Sequence, residues 1–275
     1  MFTPHTKPIR TDVNQSQITW WARINSTIPL FFIFHFSLFI FQSCGLDIEN
    51  PTPPSPPHWV QKSLPEEWPE RGIDAHESGG IFLEWEPNSA EEITAYKIYR
   101  AKYFEDLDSL ESMILLAIVD QTSQKQYEYI DIEVQVGQMV YYSIVALDGT
   151  QNVSVPSDSI YYCLHQFIRS DMMIPNGLSE PLSISRTLNW RNFYLDATED
   201  YCLTILSLAG EFLLRQRVQP QNYVGGVEIW AIPDDVVFEA NQQYQWRIDT
   251  GARYVEGVET AGSESIWASF VYVSP

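Results

Sequence analysis

From about residue 81 onward, apolar and polar positions alternate in short runs separated by Gly, Pro, Asn and Asp. The clearest are IFLEWE (81–86), AYKIYRA (95–101), YEYIDI (127–132) and MVYYSIVALD (139–148). Successive side chains of a strand point to opposite faces, so this alternation predicts strands with one buried face in an antiparallel sheet. In the first run Ile81, Leu83 and Trp85 share a face opposite Phe82, Glu84 and Glu86. In the second, Tyr96, Ile98 and Arg100 oppose Lys97 and Tyr99. Further runs follow in RTLNWRNFYLD, YCLTILSLAGEFLLRQRV, VEIWAIP, YQWRIDTGA and SIWASFVYV. No long pattern of helical period interrupts them, and the predicted fold class is all-β.

The N-terminus is patterned differently. Ile28 to Phe41 is an apolar run of fourteen residues in which Phe31, Phe32, Phe34, Phe36, Phe39 and Phe41 leave no polar face. As a helix it would cover roughly 21 Å, short of the ~30 Å hydrocarbon core of a bilayer. Lys7, Arg10 and Arg23 precede it against the single acid Asp12, the layout of a secretory signal. A retained signal anchor and a buried core helix are the alternatives. The run ends in Phe-Gln-Ser-Cys-Gly (41–45), which resembles the lipobox of bacterial lipoproteins, with small residues Ser43 and Gly45 flanking the cysteine. The resemblance implies cleavage before Cys44 and lipidation of that residue; simple cleavage nearby is the competing outcome. Acyl chains on Cys44 would then hold the protein to a membrane of the bacterial envelope, on a periplasmic or cell-surface face.

Five prolines between Pro51 and Pro57 favour polyproline II, so 44–57 reads as a semi-rigid linker between anchor and fold. Cleavage before Cys44 would leave 13 basic against 35 acidic residues, a formal charge of about −22. Such a surface repels polyanions, which argues against nucleic acid and anionic headgroups as direct ligands.

The order of elements carries a second resemblance. IFLEWEPN, ITAYKIYRA and YIDIEVQVGQMVYYSIVALDGTQNVSVPSDS are similar to the second, third and later strands of a fibronectin type III domain, over about Pro53 to Tyr162. The resemblance implies a sandwich of two antiparallel sheets with Trp85 across the core and Tyr142 on the sixth strand. From about Leu164 onward the Asn-Trp, Tyr-x-Trp-Arg-Ile and Trp-Ala-Ser-Phe elements resemble, more weakly, a second fibronectin III or immunoglobulin-like unit. The expected organisation is a signal peptide (1–43), a linker (44–57), a fibronectin type III domain (58–162) and a divergent sandwich (163–275).

Signals for chemistry are sparse. His5, His35, His58, His76 and His165 have no metal-ligand spacing, and neither G-x-S-x-G nor a Gly-rich phosphate loop occurs. No metal, cofactor or catalytic residue is expected. Asp196, Glu199 and Asp200, and Asp234 with Asp235, are clustered acids of the kind used by glycosidases or Ca²⁺ sites, but a chain with 36 acids forms such clusters by composition. Cys163 and Cys202 are open to pairing or to burial as free thiols. Trp190, Trp230 and Trp267 are the candidate ligand platform of the second half, with core packing as their other reading. The expected function is a non-catalytic, lipid-anchored binding or scaffold module for a protein or polysaccharide partner, with a carbohydrate-binding accessory protein as the alternative.

Overall fold

The computed structural model describes residues 52–63, 69–88, 92–177, 181–182, 186–192, 198–221, 226–253, 255 and 257–273. The signal segment 1–43, Cys44 and the linker up to Pro51 lie outside them. The described residues are all-β, in sixteen strands and two short 3₁₀ turns.

The first eight strands are β1 (Ile73–His76), β2 (Gly80–Glu84), β3 (Ile93–Phe104), β4 (Ser109–Leu110), β5 (Ile114–Asp120), β6 (Glu128–Asp131), β7 (Met139–Asp148) and β8 (Ile160–Leu164). Sheet β1-β2-β6 packs face to face on β5-β3-β7-β8. Ile81, Leu83 and Trp85 meet Tyr96, Ile98, Tyr142 and Ile144 between them. These are the inward positions that the alternation specifies, and burying such side chains is worth roughly 1.5–3 kcal/mol each.

The next eight are β9 (Met173–Ile174), β10 (Thr187–Arg191), β11 (Asp200–Ser207), β12 (Phe212–Val218), β13 (Val227–Ala231), β14 (Gln243–Ala252), β15 (Ala261–Glu264) and β16 (Ala268–Val271). Here β13-β10-β9 covers β12-β11-β14, and Leu188, Trp190 and Trp230 pack against Leu203, Ile205, Trp246 and Ile248. The terminal run is broken at Ser265–Trp267, where Ser265 turns its hydroxyl and amide onto the Ile248 backbone.

Both cores use the same aromatic pair eleven residues apart. Trp85 stands edge-on to Tyr96 at 5.4 Å, and Trp190 edge-on to Tyr201 at 5.2 Å.

The sandwiches are not separate beads. β8 and β15 pair in parallel, Cys163 opposite Ala261 and Leu164 opposite Gly262, which fuses the larger sheets into one of ten strands. The sequence-derived boundary at 162/163 therefore falls inside a strand. Cys163 N–H donates to Thr260 O (3.0 Å) and His165 N–H to Gly262 O (2.7 Å). On the core side, the Tyr162 hydroxyl donates to buried Glu259 Oε1 at 2.7 Å. Gly262 makes the approach possible: a Cβ there would sit 2.1 Å from both Glu259 Oε1 and Thr250 O.

The described part of the proline segment lies against the first sandwich. Pro54 and Pro57 are buried, and Asn88 Nδ2 donates to Ser55 O at 2.9 Å. Docking follows from Trp59 two residues on, which is buried beside Trp85 and donates its indole N–H to Asp158 O at 2.7 Å.

Arg100, on the inward face as the alternation requires, is 8% exposed and holds Asp131, 1% exposed, through Nη1 at 2.9 and 2.7 Å. The Tyr142 hydroxyl donates to the same carboxylate at 2.8 Å; burial and that charge push its phenol far above the ordinary range.

Two substitutions test these constraints. Arg100→Met strands a buried carboxylate and is expected to cost about 3–5 kcal/mol in urea unfolding. Gly262→Ala forces backbone apart at the joint and is expected to cost about 3 kcal/mol in the same measurement; a loss below ~0.5 kcal/mol would mean the joint adapts freely.

Candidate binding face

The three tryptophans proposed from sequence are not brought together as a platform. Trp190 is 2% exposed within the second core, although its edge borders a shallow recess of about 350 Å³ with Ile174 and Asn189. Trp230, at 8%, packs in the same core. Trp267 alone reaches the surface, where the Arg247 guanidinium lies 5.2 Å over its ring. Arg247 also pairs with Glu264 (2.6 Å) and Asp249 (3.2 Å), so this part of the sheet is closed by its own ions. A second recess, of about 400 Å³, shares Met172 and Arg191 with the first.

The acids are dispersed in role. Asp200 is buried and held by Arg217 and Gln219, and Glu199 Oε1 accepts from the Arg253 amide at 3.1 Å. Asp234 and Asp235 are exposed, while Asp196 lies outside the described residues. No group of His, Cys, Asp and Glu with metal-holding geometry occurs among the described residues. Cys163 and Cys202 are both buried and form no disulfide with each other. His58 is exposed, His76 Nδ1 is hydrogen-bonded to Ser78, and burial beside Arg253 lowers His165 below the usual histidine range.

The face that remains open belongs to the first sandwich. On the outward side of β3, β7 and β8, Tyr103, Tyr141 and Tyr161 form a row across three neighbouring strands, with ring centroids 6.4 and 5.1 Å apart. All three are half-buried. The strand register explains the row: Tyr141 stands opposite Tyr161 on β8 and opposite Ala101 on β3, whose small side chain lets the ring lean toward Tyr103. Tyr99 and Lys97 continue this face on β3, beside Leu115 (48% exposed) and Ile118 (57%) on β5. Ring pairs of this kind also stabilise the sheet, by roughly 0.2–1 kcal/mol each.

Tyr103 borders a recess of about 320 Å³ whose walls include Phe104, Leu107 and Met139 with Glu105 and Gln138. Gln138 Nε2 donates to Tyr103 O at 2.6 Å and fixes one wall. The Tyr103 hydroxyl donates to Asp108 Oδ1 at 2.5 Å, and this bond raises its phenol above the ordinary tyrosine range. Tyr141 is raised by burial and then by its neighbour Tyr161. Glu105 and Asp108 bring exposed carboxylates to this end of the face, and Glu105 lies 3.7 Å from the Arg253 guanidinium.

The sequence carried the signal for this face without revealing it. Tyr99, Tyr103, Tyr141 and Tyr161 occupy outward positions in strands whose inward set is read easily, but their lateral alignment depends on register between strands.

No family model and no curated protein matches the chain. Among solved structures it is similar to a β-1,2-glucanase from Parabacteroides distasonis, 23% identical over 42% of this chain and 14% of that one, TM-score 0.28. It is also similar to the FN1–FN3 domains of chicken CNTN1, 14% identical over 81% of this chain and 68% of that one, TM-score 0.28. The chain thus spans about one seventh of the glucanase.

The hydrogen bond to Asp108 sets a titration. Tyr103 is expected to ionise later than an ordinary tyrosine and to return toward the usual ~10 in Asp108→Asn, followed through tyrosine ring-carbon NMR shifts against pH; an unmoved resonance would mean the bond is absent in solution.

Proposed function

We propose that this chain is a non-catalytic binding protein of the bacterial envelope, held to a membrane through lipid on Cys44 and built from two fused fibronectin III-like sandwiches. The observation that carries the binding role is the open face of the first sandwich, where a tyrosine row adjoins exposed Leu115 and Ile118. An aromatic and aliphatic surface with a polar rim is the composition of recognition sites, since rings contribute large contact area at small conformational cost. The equivalent face of the second sandwich is closed by arginines paired with acids, so the two halves divide the work between scaffold and contact.

The anchor is supported by Phe-Gln-Ser-Cys-Gly at the end of the apolar run and by the acidic chain that follows. Lipid supplies the membrane affinity that a surface of about −22 would oppose. A catalytic reading has little behind it: Asp200 is engaged by Arg217 and Gln219, and Asp234 and Asp235 stand in solvent. The tryptophan-based sugar site is left with Trp267, whose ring is covered by Arg247.

Expression of the full-length gene in a bacterial host, followed by the intact mass of the membrane-extracted product, tests the anchor. The expected mass is that of residues 44–275 plus diacylglycerol and an acyl chain, and Cys44→Ala is expected to abolish it. An uncleaved chain that stays in the membrane after that substitution would replace the lipid anchor with a signal anchor.

A further inference from the structure

We propose that the parallel joint between the two sandwiches is an acid-sensitive hinge, shut while His165 is neutral and loosened when its imidazole takes a second proton. The joint is narrow. Besides the two residue pairs of β8 and β15, it is held by the amides of Cys163 and His165 donating to Thr260 O (3.0 Å) and Gly262 O (2.7 Å), by Ser263 Oγ donating to Gln166 O (3.3 Å) and by the Tyr162 hydroxyl on Glu259. His165 therefore makes one of the few bonds that cross it, and a change in where its ring can sit acts directly on the pairing.

Along β8, Tyr162 and Leu164 enter the first core, so by alternation Cys163 and His165 belong to the other side. There the imidazole Nδ1 is buried and has no hydrogen-bond partner among the described residues. A neutral ring tolerates this, with its proton on Nε2 and Nδ1 a bare acceptor. An imidazolium carries N–H on both nitrogens and would bury a donor with nothing to accept it. The charged neighbours do not compensate. Arg253, just after β14, is a like charge, and exposed Glu105, in the turn after β3, lies 3.7 Å from that guanidinium. Glu199 accepts from the Arg253 amide at 3.1 Å. Cys163, on the same side, stays a neutral thiol because burial pushes it up. On the core side of the strand the Tyr162 hydroxyl lies 2.7 Å from Glu259 Oε1 and 3.4 Å from Asp74 Oδ1. Burial first, and then Arg253, hold His165 below the usual histidine range. The open joint, where the ring is hydrated, binds the proton more readily than the closed one. Closure is therefore fully favoured above the ordinary value of ~6.5 and weakens as pH falls from there through the lower value of the closed state.

Hydrogen exchange of the full chain, extracted from membranes in detergent, is read by mass spectrometry at about pH 7.5 and about pH 5 and corrected for the intrinsic pH dependence of exchange. Protection of peptides covering 160–166 and 260–264 is expected to fall about tenfold on acidification, the factor that one unit of pKa difference between closed and open joint produces. The interiors of β3, β7 and β11 are expected to keep theirs. His165→Gln, which cannot take the charge, should hold the joint protected at both pH values, and His165→Arg should leave it unprotected already at the higher one. The proposal is overturned if the joint of the parent keeps its protection in acid, or if all strands lose protection together, which is global unfolding. It is equally overturned if His165→Gln loosens in acid as far as the parent, which would assign the response to Glu259 and Asp74. A joint already loose in His165→Gln at the higher pH would make the ring a packing element and overturn it as a trigger.

Discussion

The architecture depends on one short parallel pairing. β8 and β15 meet at two residue pairs, and the pairing is sealed on its core side by the Tyr162 hydroxyl on Glu259. A carboxylate 3% exposed is costly to bury, and its acceptance of a 2.7 Å bond from a residue nearly a hundred positions away makes the joint specific. Burial and the nearby Glu259 and Asp74 push the Tyr162 phenol well above its ordinary range, which keeps it a donor. Because β8 closes one core and β15 belongs to the other, neither sandwich presents that edge to solvent.

The same joint settles what happens at the sheet's remaining ends. Exposed strand edges invite pairing with other chains, and a bulge is one device that disrupts it. β5 carries a bulge where its register slips between Leu115 and Ala117, and β12 one between Phe212 and Leu214. The two bulges occupy equivalent places at opposite ends of the ten-stranded sheet. With the inner edges fused and the outer ones kinked, strand addition is disfavoured at both ends, and recognition falls to faces.

How much of this was legible follows from the range of each signal. Alternation is local, so the inward sets of IFLEWE and AYKIYRA are recovered residue by residue, Arg100 included, whereas in MVYYSIVALD burial extends to both faces from Tyr142 onward. The repeated Trp-to-Tyr interval, 85 to 96 and 190 to 201, is also present in the chain and underlies the match of the two cores. Asp131 as the partner of Arg100, the β8–β15 pairing and the tyrosine row are set by which strands become neighbours, and no local pattern encodes that. The tryptophans illustrate the limit: Trp190 and Trp230 alternate inward and are core, whereas Trp267 lies in the break before β16.

The contrast between the outward faces then carries the functional argument. On β12 and β14 the outward positions include Arg217 and Arg247, and Arg217 meets Asp200 while Arg247 meets Glu264 and Asp249. Arg217 stands opposite Cys202 and Arg247 opposite Thr204 in the strand register, and both of these partners are fully buried. On β3, β7 and β8 the outward positions include Tyr99, Tyr103, Tyr141 and Tyr161 beside Lys97 and Ala101, and three of the rings pack laterally on one another. One continuous sheet thus has an internally neutralised half and a half with unspent contact surface. Sandwiches fused this way hold that surface at a set angle to the second core, since bending at the joint would break the Tyr162–Glu259 bond and open the close approach at Gly262.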